Sequence, residues 1–152
     1  MIQRIQTIYL LIAVVLSVVC LFMQVGALTD GDATATGMFN LFLAYPDGAK
    51  NFVTWPLFVV LLLSAAIALY AIFMYANRLL QMRFCLFSML LIVGWYILYA
   101  VYAHLLLPDS SAAAFTPSVA AVFPLVSIVM LFLARRAIWA DEKLVRAADR
   151  IR

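Results

Sequence analysis

The chain of 152 residues is 68% hydrophobic and carries ten basic and seven acidic residues, 11% of its length. A soluble domain is about 45–50% apolar and about 25% charged, and at this size it leaves roughly a third of its chain surface in water. A mean hydropathy of +1.12 therefore points to lipid as the solvent. A net charge of only +3, spread over short separated segments, argues against a nucleic-acid-binding module.

A spanning helix needs about 20 mostly apolar residues at 1.5 Å rise each. Four segments meet that length, so the sequence predicts an all-α polytopic membrane protein over residues 1–152, with four transmembrane helices. The first runs from about Ile5 to Leu28 without an internal charge. It exceeds the usual signal-peptide length and is expected to remain as a helix. Cys20 follows the bulky Val18 and Val19, so it does not read as a lipid-modified cysteine.

The outer loop, residues 29–55, opens with a polar stretch and then carries two aromatic-rich runs around Pro46-Asp47-Gly48. Proline and glycine suit a tight turn, so these runs read as a small β-hairpin, with aromatics lying at the interface as the alternative. The second helix is expected over 56–77, with Pro56 in its first turn, where a missing N–H costs nothing. Its Ser64, Ala65, Ala68 and Ala71 let another helix, most simply helix one or three, come close.

A short turn, Asn77–Arg83, leads into the third helix, 84–107, so helices two and three should form an antiparallel hairpin. Trp95, Tyr99 and Tyr102 share one face of helix three by their spacing. They read as packing residues or as an apolar wall for a lipid or quinone. Pro108 and the polar residues after it stop this helix. The fourth is expected over 117–139, with Thr116 as N-cap, Pro117 in the first turn and a bend at Pro124. A cytoplasmic helical tail, 140–152, continues it. The apolar face of this extension, Ala137, Leu144, Ala148 and Ile151, is a candidate partner surface, and Glu142 and Arg146 are spaced to pair.

Charge sorts by side. Arg4, Arg78, Arg83, Arg135, Arg136 and the basic tail lie at one end, giving +6, against −3 from Lys50, Asp30, Asp32, Asp47 and Asp109 at the other. The positive-inside bias predicts both termini in the cytoplasm. The five named arginines are candidate lipid-headgroup contacts.

Chemistry is sparse. No Asp, Glu, Lys or Arg lies near the midpoint of any span, which disfavours ion-coupled transport. His104, the single histidine, reads as an interfacial side chain, and one histidine cannot supply a bis-histidine haem site. Cys20 and Cys85 are at different depths, too far apart to pair, and no Cys-x-x-Cys occurs. No catalytic residue, metal or cofactor is expected.

The opening Met1-Ile2-Gln3-Arg4-Ile5-Gln6-Thr7-Ile8-Tyr9-Leu10-Leu11 is distinctive, as is the close, Leu133-Ala134-Arg135-Arg136-Ala137-Ile138 with Asp141-Glu142-Lys143-Leu144-Val145-Arg146 and Ala148-Asp149-Arg150-Ile151-Arg152. These ends resemble an uncharacterised family of small four-helix membrane proteins from Bacteroidota, catalogued as a domain of unknown function. Trp139 departs from the charged residue expected at its place. The resemblance implies a bacterial inner membrane and supplies no activity or site residue. The leading functional expectation is an accessory or scaffolding subunit of a membrane complex, its partners the bilayer and a membrane protein or second copy. A lipid- or quinone-binding protein is the alternative, and an oligomeric small-molecule transporter or channel stands behind it.

Overall fold

The computed structural model describes residues 2–30, 35–74, 77–107 and 113–150, with side chains described for 5–30, 35–74, 77–107 and 113–147. Four helices carry the architecture: α1 (Ile2–Phe22), α2 (Trp55–Phe73), α3 (Arg78–Leu105) and α4 (Phe123–Arg150). Each contains a stretch long and apolar enough to cross a membrane. The helices form a closed ring in which α1 packs on α4 and α2, and α3 on α2 and α4. Roughly a third of each apolar stretch is buried in the bundle. The outward remainder includes Ile8, Leu11, Leu63, Phe87, Leu90, Ile97, Val129 and Phe132. A water-soluble bundle would place polar residues there, so this exterior suits hydrocarbon.

The all-α expectation needs correction. Beside the helices stands a five-stranded antiparallel sheet, in the order β4-β3-β2-β1-β5. Its strands are β1 (Gln24–Asp30), β2 (Thr36–Phe39), β3 (Leu43–Ala44), β4 (Lys50–Asn51) and β5 (Ala113–Pro117). Two strands come from residues expected to be helical or to start a helix. The first helix ends at Phe22, not Leu28, because 24–30 pairs with β2 on one side and β5 on the other. Apolar length alone cannot separate the end of a helix from the start of a buried strand. Gly26 permits the arrangement: a Cβ there would lie 2.5 Å from the tip of the Phe115 ring.

The fourth helix starts at Phe123, not Pro117. Thr116 and Pro117 close β5 instead, and a 3-10 turn over Val119–Val122 leads into the helix. Pro117 suits the strand because it faces Gly26 at a position where no ladder N–H is required. Pro124 falls in the first turn of α4, so it initiates the helix and does not interrupt its middle. Helix α2 stops at Phe73, short of Asn77, and α3 begins at Arg78, well before Phe84. The expected stop at Pro108 lies outside the described residues.

The hairpin expected around Pro46-Asp47-Gly48 is present, with only two residues per arm, as the β3–β4 edge of the larger sheet. Gly48 adopts φ +85°, the left-handed region that glycine tolerates. Asp47 Oδ1 accepts the Ala49 N–H at 3.0 Å, fixing the turn. Phe42 stacks on Phe39 and meets the edge of Phe52, and Lys50 Nζ lies 4.8 Å from the Phe42 ring centre.

Candidate functional site

Polar groups inside an apolar bundle are costly unless paired, so their arrangement shows what the interior is built to do. In the half of the bundle away from the sheet, Leu10, Ala13, Ala71, Cys85, Ile92, Leu131 and Ile138 pack together. Two buried serine pairs tie the helices. Ser64 and Ser88 lie 2.8 Å apart between α2 and α3, and Ser88 Oγ donates to the Ser64 carbonyl at 3.0 Å. Ser17 and Ser127 approach to 3.3 Å between α1 and α4, and both hydroxyls donate to the Ala13 carbonyl. Ala65, Ala68 and Ala71 are buried with Ser64, so the small-residue face of α2 serves packing within the chain.

The sheet caps the other half. Val25, Leu28, Met38 and Leu43 descend from the strands onto Leu57, Leu61 and Trp95. Asn40, in the β2–β3 connection, is wholly buried and clamps two elements at once. Its Nδ2 donates to the Cys20 carbonyl near the end of α1 at 2.6 Å, and its Oδ1 accepts the Trp95 Nε1–H of α3 at 2.9 Å. Tyr99 stacks on Trp95 at 5.1 Å and donates its hydroxyl to the Val25 carbonyl of β1 at 2.7 Å. Tyr96 donates to the Ala121 carbonyl before α4, also at 2.7 Å.

Trp95, Tyr99 and Tyr102 are therefore brought together as their spacing predicts, with Tyr102 packed at the margin of the same cluster. They face the chain's own sheet, and Trp95 has no exposed surface. An open apolar groove of about 520 Å³ lies beside them, lined by Tyr96, Tyr99, Val119, Val122 and Leu125. The polar linchpin, Asn40, was missed by the sequence reading. Its signal was a lone amide inside Phe39-Asn40-Leu41-Phe42, apolar on both sides.

The basic end is more fully paired than expected. Arg78 Nη1 lies 3.0 Å from Asp141 Oδ2, an ion pair between α3 and the α4 extension. Arg78 is thus engaged within the chain, with part of its side chain still exposed. Arg146 pairs with Glu142 at 3.0 Å, as their spacing predicts. Gln81 Nε2 donates to the Ala71 carbonyl at 2.9 Å and ties the α2–α3 turn. Arg83 and Arg136 are exposed, and Arg135 is half-buried. The Arg4 side chain lies outside the described residues. On the proposed partner face, Ala137 is half-buried and Leu144 exposed, while the Ala148 side chain and Ile151 lie outside the described residues. The inward face of α4 is instead Leu131, Ala134 and Ile138.

Among the described residues no group of His, Cys, Asp and Glu could hold a metal ion. Cys20 and Cys85 are both buried and unbridged, and they belong to the two different core clusters. His104 is exposed in the last turn of α3.

These features define a class: a four-helix membrane bundle closed at one end by an antiparallel sheet, with its interior polar groups largely bonded to one another. The chain belongs to the family described as Domain of unknown function (DUF4293), whose model matches residues 2–151. A comparison with curated proteins finds no match.

Proposed function

We propose that this protein is a non-catalytic accessory subunit of a membrane complex, in a bacterial inner membrane with both termini cytoplasmic, presenting its sheet outside as a docking edge. The observation that carries this reading is the free side of β5. Among the described residues, strand β5 is at the edge of the sheet and pairs only with β1. The Ser118 N–H donates to Val25, which sets the alternation of the ladder so that 27 pairs with 116 and 29 with 114. The N–H and C=O groups of Ala113 and Phe115 then point away from β1. No charged side chain interrupts Ala113–Pro117, although exposed edges are commonly blunted with charge to prevent pairing. The edge is blunted by proline at its Pro117 end but uncharged along Ala113–Phe115, and that stretch suits strand addition by a partner.

The test is affinity purification in mild detergent, comparing the natural chain with Ala113→Pro. Proline removes one outward N–H and is tolerated at an edge. The expected result is a stoichiometric partner retained by the natural chain and depleted by Ala113→Pro. A bare chain in both samples, or the same partner at the same yield in both, would reject the reading.

A second reading rests on the groove beside Tyr96 and Tyr99, whose lining is almost entirely apolar. Its dimensions suit an isoprenoid or acyl chain, and retained quinone or lipid displaced by Val122→Trp would support it over the first.

A further inference from the structure

Among the described residues, the basic end holds cations without a carboxylate partner. Arg78 and Arg146 are paired with Asp141 and Glu142. Arg135, Arg136 and Lys143 have no carboxylate partner among the described residues. Arg135 and Arg136 line an open pocket of about 260 Å³ with Met82, Phe132 and Trp139, between α3 and α4. Lys143 stands at its rim, its Nζ 3.5 Å from the centre of the Trp139 ring. It lines the adjoining pocket with the same Met82 and Trp139.

Depth along α4 gives this pocket its character. At 1.5 Å per residue, Arg135 and Arg136 lie about 8–9 Å on the bundle side of Asp141, and Phe132 about one further turn inward. Over about 16 Å, from Lys143 to Phe132, the lining passes from a cation, past an indole, to the arginine pair and then to bare hydrocarbon. Trp139 and Phe132 are each about half exposed, so the apolar floor is open to the surroundings. An arginine pair one to two turns inside the end of a spanning helix draws a phosphate toward itself or reaches out to one. Phe132 continues below that phosphate as a seat for the first carbons of acyl chains, and Met82 forms the α3 wall beside the phosphate. A soluble phosphate has no use for such a floor, and an acidic peptide would have to enter hydrocarbon to reach it.

We propose that this pocket seats one anionic phospholipid, its phosphate between Arg135 and Arg136 against Met82, its headgroup under Lys143 and its acyl chains along Phe132. Anionic lipids are preferred over zwitterionic ones because a choline or ethanolamine headgroup would bring a further cation against Lys143. The site is independent of the partner edge at the opposite end of the bundle.

The experiment uses the full chain purified in a mild detergent and titrated with phosphatidylglycerol or phosphatidylcholine of identical acyl chains, with retained lipid counted by native mass spectrometry. The natural chain should hold one phosphatidylglycerol in clear preference to phosphatidylcholine. Arg135→Gln with Arg136→Gln should weaken phosphatidylglycerol binding about thirty-fold, two cations' worth at a membrane surface, and weaken phosphatidylcholine through the phosphate it shares, while Lys143→Gln should narrow the preference between the two lipids. Arg135→Lys with Arg136→Lys should keep most of the preference. Equal binding of both lipids by the natural chain overturns the proposal, as does phosphatidylglycerol binding that the double glutamine variant leaves unchanged. Competition by glycerol phosphate at equal concentration also overturns it, assigning the pocket to a soluble anion. Should the glutamine variant fail to fold, the lipid comparison and the competition on the natural chain still decide.

Discussion

Asn40→Ala offers the sharpest perturbation of how the sheet is held on the bundle. Asn40 and Trp95 have no exposed surface, and the amide satisfies the Cys20 carbonyl and the Trp95 indole N–H together. Alanine orphans both groups in a place water does not reach. Each orphan costs about 1–3 kcal/mol, so the variant should lose about 2–6 kcal/mol, before any contribution from the small cavity. That is a large part of a typical folding free energy of about 5–15 kcal/mol. The assay is equilibrium unfolding in mixed detergent micelles, with Asn40→Ala, Trp95→Phe and the double variant forming a cycle. Trp95→Phe deletes the donor that Asn40 Oδ1 accepts, so the two losses should overlap by at least about 1 kcal/mol. A loss below about 1 kcal/mol for Asn40→Ala, or strict additivity in the cycle, would refute the clamp. Hydrogen exchange adds a local readout: the amides of β1 and β2 should lose protection in Asn40→Ala while those of α2 keep theirs.

Further consequences can be checked by the same unfolding assay. Ser64→Ala and Ser88→Ala should each cost about 0.6–1.7 kcal/mol, and the double variant little more than either alone, because the hydroxyls bond to each other and to each other's backbone. Gly26→Val should destabilise by about 1–3 kcal/mol through its collision with the Phe115 ring, and Phe115→Ala should recover part of that loss. Asp141→Asn, which leaves the half-buried Arg78 without its anion, should be more harmful than Arg78→Gln with Asp141→Asn together.

The four spans were legible because each is a long apolar run between polar or proline-bearing segments, a signal contained within one stretch of chain. The sheet was not, for a reason visible at Gln24–Asp30. Its apolar residues continue those of α1 across the single polar Gln24, and its partner, Ala113–Pro117, lies more than 80 residues away. Pairing over that separation leaves no local trace. Thr116 and Pro117 carried the residue types of a helix start while belonging to a strand end, so the cap signals pointed six residues too early. The Pro46-Asp47-Gly48 hairpin was legible because turn chemistry is local. The aromatic face of α3 could be placed by spacing, but spacing could not say what covers it. That required Asn40, from a connection with no periodicity of its own.

The account stands most directly on the two ends of the bundle being on opposite sides of a membrane, the sheet outside and the basic end inside. Asp47→Cys and Arg146→Cys, each in a chain with Cys20 and Cys85 replaced by alanine, place single thiols at the hairpin turn and on the α4 extension. A membrane-impermeant maleimide should label Asp47→Cys in intact spheroplasts and Arg146→Cys only after permeabilisation. Labelling of Arg146→Cys alone in intact spheroplasts would reverse the orientation, and labelling of both would contradict the four-span bundle.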